Sequence, residues 1–444
     1  MTVVQFNGKG AGKGTVAPKG GLIAALDIGS TKISCLIAEP VPAKHRTPDQ
    51  EDKRNLKVLG VGHQLSRGVR SGSIIDVEEA ERAIRLAVDA AERMAQRTIT
   101  EVFVNVSGGR PQSRLYIGSA ITESGVGGQV SQRDLDNVLN EALAQVDPGR
   151  RTIMHLAPLQ YHLDDARGVK EPVGLFGDTL SLELGVVTVE TPHLKNLTLA
   201  VERAHLSVAG FVIAPYAAAR AVLAEDEKEL GVTVVDMGGA TTSFAVFHEH
   251  KLVMADVIPL GGHHITNDIA RGLSTTIAHA ERMKTLWGSA LSSAVDEREM
   301  ISVPLLGERG VDTVQQVPKS MLTSIISPRL EETFEMLRTK LESSGAAYHA
   351  GRRLVITGGA SQLNGVSEVA SRWFDRQVRM GSPVHIQGMP EAAHSPGFSV
   401  CAGLLNYALV PDRHYDLPKA KAQEVQRAQQ GYVRRMGRWI ADSF

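Results

Sequence analysis

The chain has 444 residues, 43% hydrophobic and 22% charged, enough for two or more domains that each bury a core. Its 48 basic and 49 acidic residues leave a formal charge of -1, so no global field draws it to nucleic acid, and a charged partner must meet a local patch. Cys35 and Cys401 lie far apart in apolar runs with no C-x-x-C spacing, which suits a reducing cytoplasm rather than a disulfide framework.

Residues 1–21 are rich in Gly and Lys, lack the apolar core of a secretory signal, and read as a flexible tail. No uninterrupted apolar stretch approaches the roughly 20 residues that cross a bilayer as a helix. From residue 22, a short apolar strand runs into Asp27-Ile28-Gly29-Ser30-Thr31-Lys32 and resumes as a second strand over 33–37. A solvated loop over 40–55 precedes a strand near 57–62. Asp76 with Glu79 forms a capping box ahead of a helix in which Ala80, Ile84, Ala87, Val88 and Ala91 share a face, and a buried strand follows at 101–106. This is α/β layering, and it defines a first lobe over 22–109.

Residues 110–185 differ. They combine short strands, a turn at Gly125, Gly127 and Gly128, and one helix whose Leu135, Val138, Leu139, Ala142, Leu143 and Val146 share a face, so they read as an inserted subdomain. The first lobe resumes over 186–230, ending in an acidic break at Glu225, Asp226, Glu227 and Glu229.

The second half, 231–412, begins as the first did: an apolar strand, then Asp236-Met237-Gly238-Gly239-Ala240-Thr241-Thr242, then a strand over 243–247. The two Asp-x-Gly turns, their aspartates 209 residues apart, are an internal repeat and imply two similar lobes with a ligand between them. One such turn alone is more often only a turn; the pair carries the argument. Gly29, Gly238 and Gly239 let backbone N–H groups approach an anion, and Ser30, Thr31 and Thr241 offer hydroxyls to phosphate oxygens. Lys32 offsets phosphate charge. Asp27 and Asp236, each ending a buried strand, are placed to hold Mg2+ through its waters. A third strand running into Thr357-Gly358-Gly359-Ala360-Ser361 gives a glycine turn on which a nucleoside can pack. Between these elements Ile265, Ile269 and Leu273 keep helical spacing, and Glu281 and Lys284 share a helix face at i, i+3, in a smaller subdomain over about 272–345.

The three turns in this order resemble the actin, hexokinase and Hsp70 superfamily over about residues 22–412. The inserted subdomain, the segment 261–268 and the C-terminal helix are similar to the FtsA family of bacterial cell-division proteins. That resemblance implies a two-lobed actin-like ATPase fold with a relocated subdomain. It implies bound ATP, with Glu281, Lys284, Gly358, Gly359 and Ser361 on the adenosine. It also implies self-assembly into filaments, later division proteins bound through the insert, and capture of the FtsZ C-terminal peptide. For that peptide, Ser327-Pro328-Arg329-Leu330-Glu331 nominates Arg329. Ala214 stands where many ATPases of the superfamily keep Glu or Gln, so any hydrolysis is expected to be slow.

Residues 413–430 read as a linker to a final segment, 431–444. At about 100° per residue Tyr432, Val433, Met436, Trp439, Ile440 and Phe444 fall within an arc of about 140°, with Arg434, Arg435 and Arg438 opposite. That is the pattern of a helix lying on an anionic membrane surface, at the inner face of the bacterial membrane and the division site if the resemblance holds. One such helix binds weakly, and many on one filament reinforce each other. The alternative is a soluble actin-fold kinase or a chaperone-type ATPase. His248, His250, His263 and His264 show no spacing for a transition metal, and no zinc is expected.

Overall fold

The computed structural model describes residues 21–42, 54–147, 149–306, 314–384 and 386–409. The N-terminal tail up to residue 20, the C-terminal linker and the amphipathic segment with Val433, Arg434, Arg435, Met436, Arg438, Trp439, Ile440 and Phe444 lie outside the described residues.

The first lobe opens with β1 (Ile23–Ile28), buried throughout, then β2 (Lys32–Pro42) and β3 (Arg54–Leu65). A small hairpin, β4 (Val69–Arg70) and β5 (Ser73–Ile74), leads to α1 (Val77–Ala95) and β6 (Glu101–Val106). The alanines of α1 meet glycines of β3: a Cβ on Gly60 or Gly62 would stand 2.1 or 1.9 Å from the carbonyl oxygen of Ala91 or Ala87. Helix and sheet therefore touch backbone to backbone. Asp76 caps α1 by accepting the Glu78 and Glu79 N–H groups at 3.0 Å. The other half of the expected capping box does not form, because the Asp76 N–H donates to Gly68 O and Glu79 pairs with Arg82.

The insert comprises β7 (Gln112–Ile121), α2 (Gln132–Ala144), β8 (Arg151–Leu163), β9 (Ala166–Val169) and β10 (Thr179–Glu190). Its sheet runs β7-β10-β8-β9, and Leu135, Val138 and Leu139 of α2 pack on Leu180, Leu182 and Leu184 of β10 as a separate core. The chain then regains the first lobe through α3 (Thr191–Arg203), β11 (Ser207–Ile213), α4 (Ala214–Val222) and the short α5 (Glu225–Leu230).

The second lobe starts with β12 (Val232–Met237), β13 (Thr242–His248) and β14 (Lys251–Ile258). It continues through α6 (Gly262–Gly272), α7 (Ile277–Trp287), β15 (Met300–Pro304), β16 (Val314–Pro318) and α8 (Ser320–Ser343). It closes with β17 (Arg353–Thr357), α9 (Val366–Phe374), β18 (Gln377–Met380) and α10 (Ser399–Leu409). The large sheets share one plan: β3-β2-β1-β6-β11 in the first lobe and β14-β13-β12-β17-β18 in the second. In both, the first three strands are antiparallel and the last three parallel.

Two helices join the lobes. α4 and α10 belong to a core that takes in both Leu26 and Leu36 of the first sheet and Val234 and Phe247 of the second. They cross so closely that a Cβ on Gly403 would stand 1.7 Å from Ala217 O. α8 serves two cores: Leu322 and Ile326 pack with Ile269 and Val303 in the smaller subdomain, while Phe334 and Leu337 pack beneath the sheet with Phe244. No described helix is long and apolar enough to cross a membrane.

Candidate functional site

The two repeated turns close by the same bond. Gly29 N–H donates to Lys32 O at 3.1 Å, and Gly238 N–H donates to Thr241 O at 2.9 Å. They meet tip to tip: a Cβ on Gly239 would lie 1.9 Å from Thr31 Oγ1, and that hydroxyl sits 3.2 Å from His263 Nε2. Glycine at 239 is what lets the lobes approach. Behind the tips lies a cavity of about 570 Å3, within the range of roughly 300–1,000 Å3 usual for small-molecule sites.

The first turn lines this cavity with Asp27, Gly29, Ser30, Thr31 and Lys32, and the second with Asp236, Gly238, Gly239 and Thr241. Glu281, Lys284, Gly358 and Gly359 line it from the second lobe. Lys284 Nζ is fixed by Gly262 O at 3.1 Å, Thr266 Oγ1 at 2.8 Å and Glu281 Oε2 at 2.7 Å, which turns an i, i+3 helix pair into part of the wall. Gly358 has φ +90, and a Cβ there would stand 2.4 Å from Asp236 Oδ1, so the third turn also needs its glycine. Ser361 is placed differently from the other sequence-nominated residues. It is 1% exposed and donates to Gly358 O at 2.7 Å, bracing the turn from behind.

Burial dominates the electrostatics. It raises the Asp27 carboxyl to about 6 against the opposing charge of Lys32. It raises Asp236 to about 7, with Asp27 adding to the effect and the Ser243 hydroxyl opposing it. Burial likewise lowers the Lys32 ammonium, which rests 3.3 Å over the Phe398 ring. Two desolvated carboxylates, the buried Asp27 and the partly buried Asp236, with one nearby cation form a site that gains from a divalent ion. Among the described residues no group of three His, Cys, Asp or Glu would hold a metal unaided. That donor set fits Mg2+, which takes one or two carboxylates and completes its shell with waters and phosphate oxygens.

Several lining residues carry no motif in the sequence. Ser107 follows β6, Lys319 precedes α8, and Ser395, Pro396 and Gly397 cross the floor of the cavity just before α10. His263 sits directly after the Gly261-Gly262 pair, the one local signal that marks it. Arg329 lies apart from this cavity, on α8, where its guanidinium donates to both oxygens of Asp268 at 2.6 and 3.3 Å and also pairs with Glu332. Ala214, the first residue of α4, is buried.

A family model described as "Cell division protein FtsA" matches residues 233–403, and another, "SHS2 domain inserted in FTSA", matches residues 108–188. The chain is 45% identical over 423 residues to the cell division protein FtsA of Rhizobium meliloti (strain 1021), covering 95% of each. This chain belongs to the FtsA family.

A more distant family member, FtsA of Escherichia coli (strain K12), is 32% identical over 431 residues, covering 95% of this chain and 98% of that protein. The FtsA-family chain is also similar in fold to the PilM-PilN type IV pilus biogenesis complex (TM-score 0.59, 16% identity, 88% of this chain and 99% of that one). MreB5 of Spiroplasma citri bound to ADP aligns with TM-score 0.51 and 14% identity over 88% of this chain and 97% of that one. At these identities the likeness establishes the mixed α/β actin-like fold, into which this family inserts its SHS2 domain.

Proposed function

We propose that this FtsA-family chain binds ATP with Mg2+ in the cleft, assembles into filaments, and tethers FtsZ to the cytoplasmic face of the inner membrane at the division site. The observation that carries this reading is the convergence of the two repeated Asp-x-Gly turns on one cavity that holds both carboxyls, the buried Asp27 and the partly buried Asp236. Gly29, Ser30, Thr31, Lys32, Gly238, Gly239 and Thr241 take the phosphates, and Asp27 and Asp236 take the ion through its waters. Glu281, Lys284, Gly358 and Gly359 face the adenosine, with Ser361 shaping the turn. The solved MreB5 structures bound to ADP and AMPPNP support a nucleotide in a cleft of this fold.

Ala214 brings no carboxylate or amide to the phosphate end, so turnover is slow and ATP acts chiefly to fix the relation of the lobes. Arg329 receives the acidic FtsZ peptide, and the SHS2 insert recruits later division proteins. The C-terminal segment supplies Val433, Met436, Trp439, Ile440 and Phe444 to the acyl boundary and Arg434, Arg435 and Arg438 to anionic headgroups.

Cosedimentation with anionic vesicles tests this, with and without ATP and Mg2+, for the full chain and a chain truncated after Gly431. Vesicle binding that ATP strengthens and truncation abolishes is expected. A full chain that stays in solution at low salt would overturn the tether and favour a soluble actin-fold kinase or chaperone-type ATPase.

A further inference from the structure

We infer that Ser107, just beyond β6, donates its hydroxyl proton to the terminal phosphoryl group of a nucleoside triphosphate, with Asn105 as the residue that aims it; this rests on the nucleotide reading above. The hydrogen bonds fix the polarity. The Ile28 N–H can only donate, and it lies 2.7 Å from Asn105 Oδ1, so the amide cannot be reversed. Asn105 Nδ2 is then the group that faces Ser107 Oγ, to which it donates at 2.7 Å. Asn105 is 1% exposed, so its amide relies on these two protein partners rather than on bulk water. Ser107 Oγ is thus an acceptor from the protein, and its own proton is left for another partner. Among the described residues Ser107 makes no other side-chain hydrogen bond.

Its place in the cleft identifies the ligand atom. In the parallel register Leu26 pairs with Val104, so Ser107 falls level with Gly29, at the start of the first phosphate turn. Ser107 lines the same cavity as Asp27, Gly29 and Lys32. The nucleoside-side residues Glu281, Lys284 and Gly359 all belong to the second lobe, so a nucleotide laid from them across the paired turns presents its last phosphate to the first lobe. Ser30 is prepared in the same way: Gly72 N–H donates to Ser30 Oγ at 3.0 Å, which leaves that proton free as well. The Ser71-Gly72 turn supports both serines, since a Cβ on Gly72 would stand 2.7 Å from Gly108 N. Ser30 belongs to the recognised turn. Ser107 is the added contact.

The test is the equilibrium affinity of the full chain for ATP and for ADP, both with Mg2+. A hydrogen bond to a charged oxygen predicts that Ser107→Ala weakens ATP about tenfold and leaves ADP within about twofold, and that Ser107→Thr recovers ATP affinity. Ser107→Ala also leaves the buried Asn105 Nδ2 without its acceptor, so the melting temperature without nucleotide falls by a few degrees, and the ATP-against-ADP split, which a merely structural role would not produce, reads the contact. Asn105→Ala lowers that temperature, because Ile28 N–H loses its acceptor, and shows a smaller but still ATP-selective loss. Equal losses for ATP and ADP, or none, in Ser107→Ala would overturn the assignment while the nucleotide site stands. A wild-type chain that binds neither nucleotide would instead overturn the nucleotide reading and this contact with it.

Discussion

Asp27 and Asp236 occupy one register in two sheets: each is the penultimate residue of its strand, and each pairs across its hairpin with a serine, Ser34 or Ser243. Their burial gives the pair a pH signature. With folded values of about 6 and about 7, against about 3.9 for an unfolded aspartate, both carboxyls hold protons more tightly in the native state. Their contribution to stability is therefore fully present below about pH 4 and is lost as pH rises through 6 to 7. Asp236→Asn removes one desolvated charge. In EDTA and without nucleotide, it is expected to raise the melting temperature at pH 8 by a few degrees and to flatten the pH dependence between 4 and 7. The same variant should lose at least tenfold in Mg2+-dependent ATP affinity. A variant less stable than wild type at pH 8 would contradict this account of the pair.

Gly403 tests the joint between the lobes. A methyl group placed 1.7 Å from Ala217 O cannot be absorbed by a side-chain rotation, because the obstacle is backbone on both helices. Overpacking of this kind costs about 1–3 kcal/mol, so Gly403→Ala should lower the urea midpoint accordingly. Because α4 and α10 lie in the core that joins the two sheets, the displaced helices should also weaken ATP binding, although Gly403 lines no part of the cavity. A variant with unchanged midpoint would show that α10 slides freely over α4.

The sequence revealed those parts of the site in which local chemistry and geometry coincide. The strand, Asp-x-Gly turn and strand unit is short-range, and its repetition announced both lobes. The third turn at Gly358 was legible for the same reason. What it did not reveal depends on distant pairings. Ser107 is one serine after a strand and gains meaning only from Asn105 facing Ile28. Phe398 reaches Lys32 only through the return of the chain before α10. Asp76 was visible as a cap, but Gly68, which takes its N–H, lies across a turn whose geometry no periodicity encodes. Ser361 carried the right residue type next to the right glycines, yet its hydroxyl turns inward to Gly358.

Glu227 is a structural counterpart to the cleft carboxyls, with the opposite sign. Its carboxylate is buried on α5 and pairs with Arg353 at 3.3 Å and Arg379 at 2.5 Å, on neighbouring strands β17 and β18. Burial acts to raise the Glu227 carboxyl, but hydrogen bonds from Arg379, the Ala224 N–H and Arg353 outweigh it and hold the group below its usual value. The stability it provides is present above about pH 4.3 and is lost as pH falls through the lowered folded value. Glu227→Gln keeps the shape and removes the charge. Since both arginines are partly exposed, a loss of about 2 kcal/mol at pH 7 is expected, less than for a fully buried pair. Wild type and variant should converge in acid denaturation curves once pH falls below the lowered folded value of Glu227, and a gap that persists at the acid limit would point to packing rather than charge.

Arg329 is the residue whose environment most changes what its substitution means. Asp268 on α6 holds its guanidinium through two donors, and Glu332 takes a third, so an acidic peptide must compete with carboxylates already in place. That competition separates two roles. If Arg329 receives the FtsZ C-terminal peptide, Arg329→Ala should weaken binding about tenfold, and Asp268→Ala should strengthen it several-fold by releasing the guanidinium. The cost to folding of either change should be about 1 kcal/mol, because the pair is partly exposed. If Arg329 only ties α8 to α6, both substitutions should destabilise alike and neither should change peptide affinity. Fluorescence anisotropy with a labelled FtsZ peptide at two salt concentrations reads the difference. Opposite signs for the two variants, both shrinking as salt is raised, are the result the binding role requires.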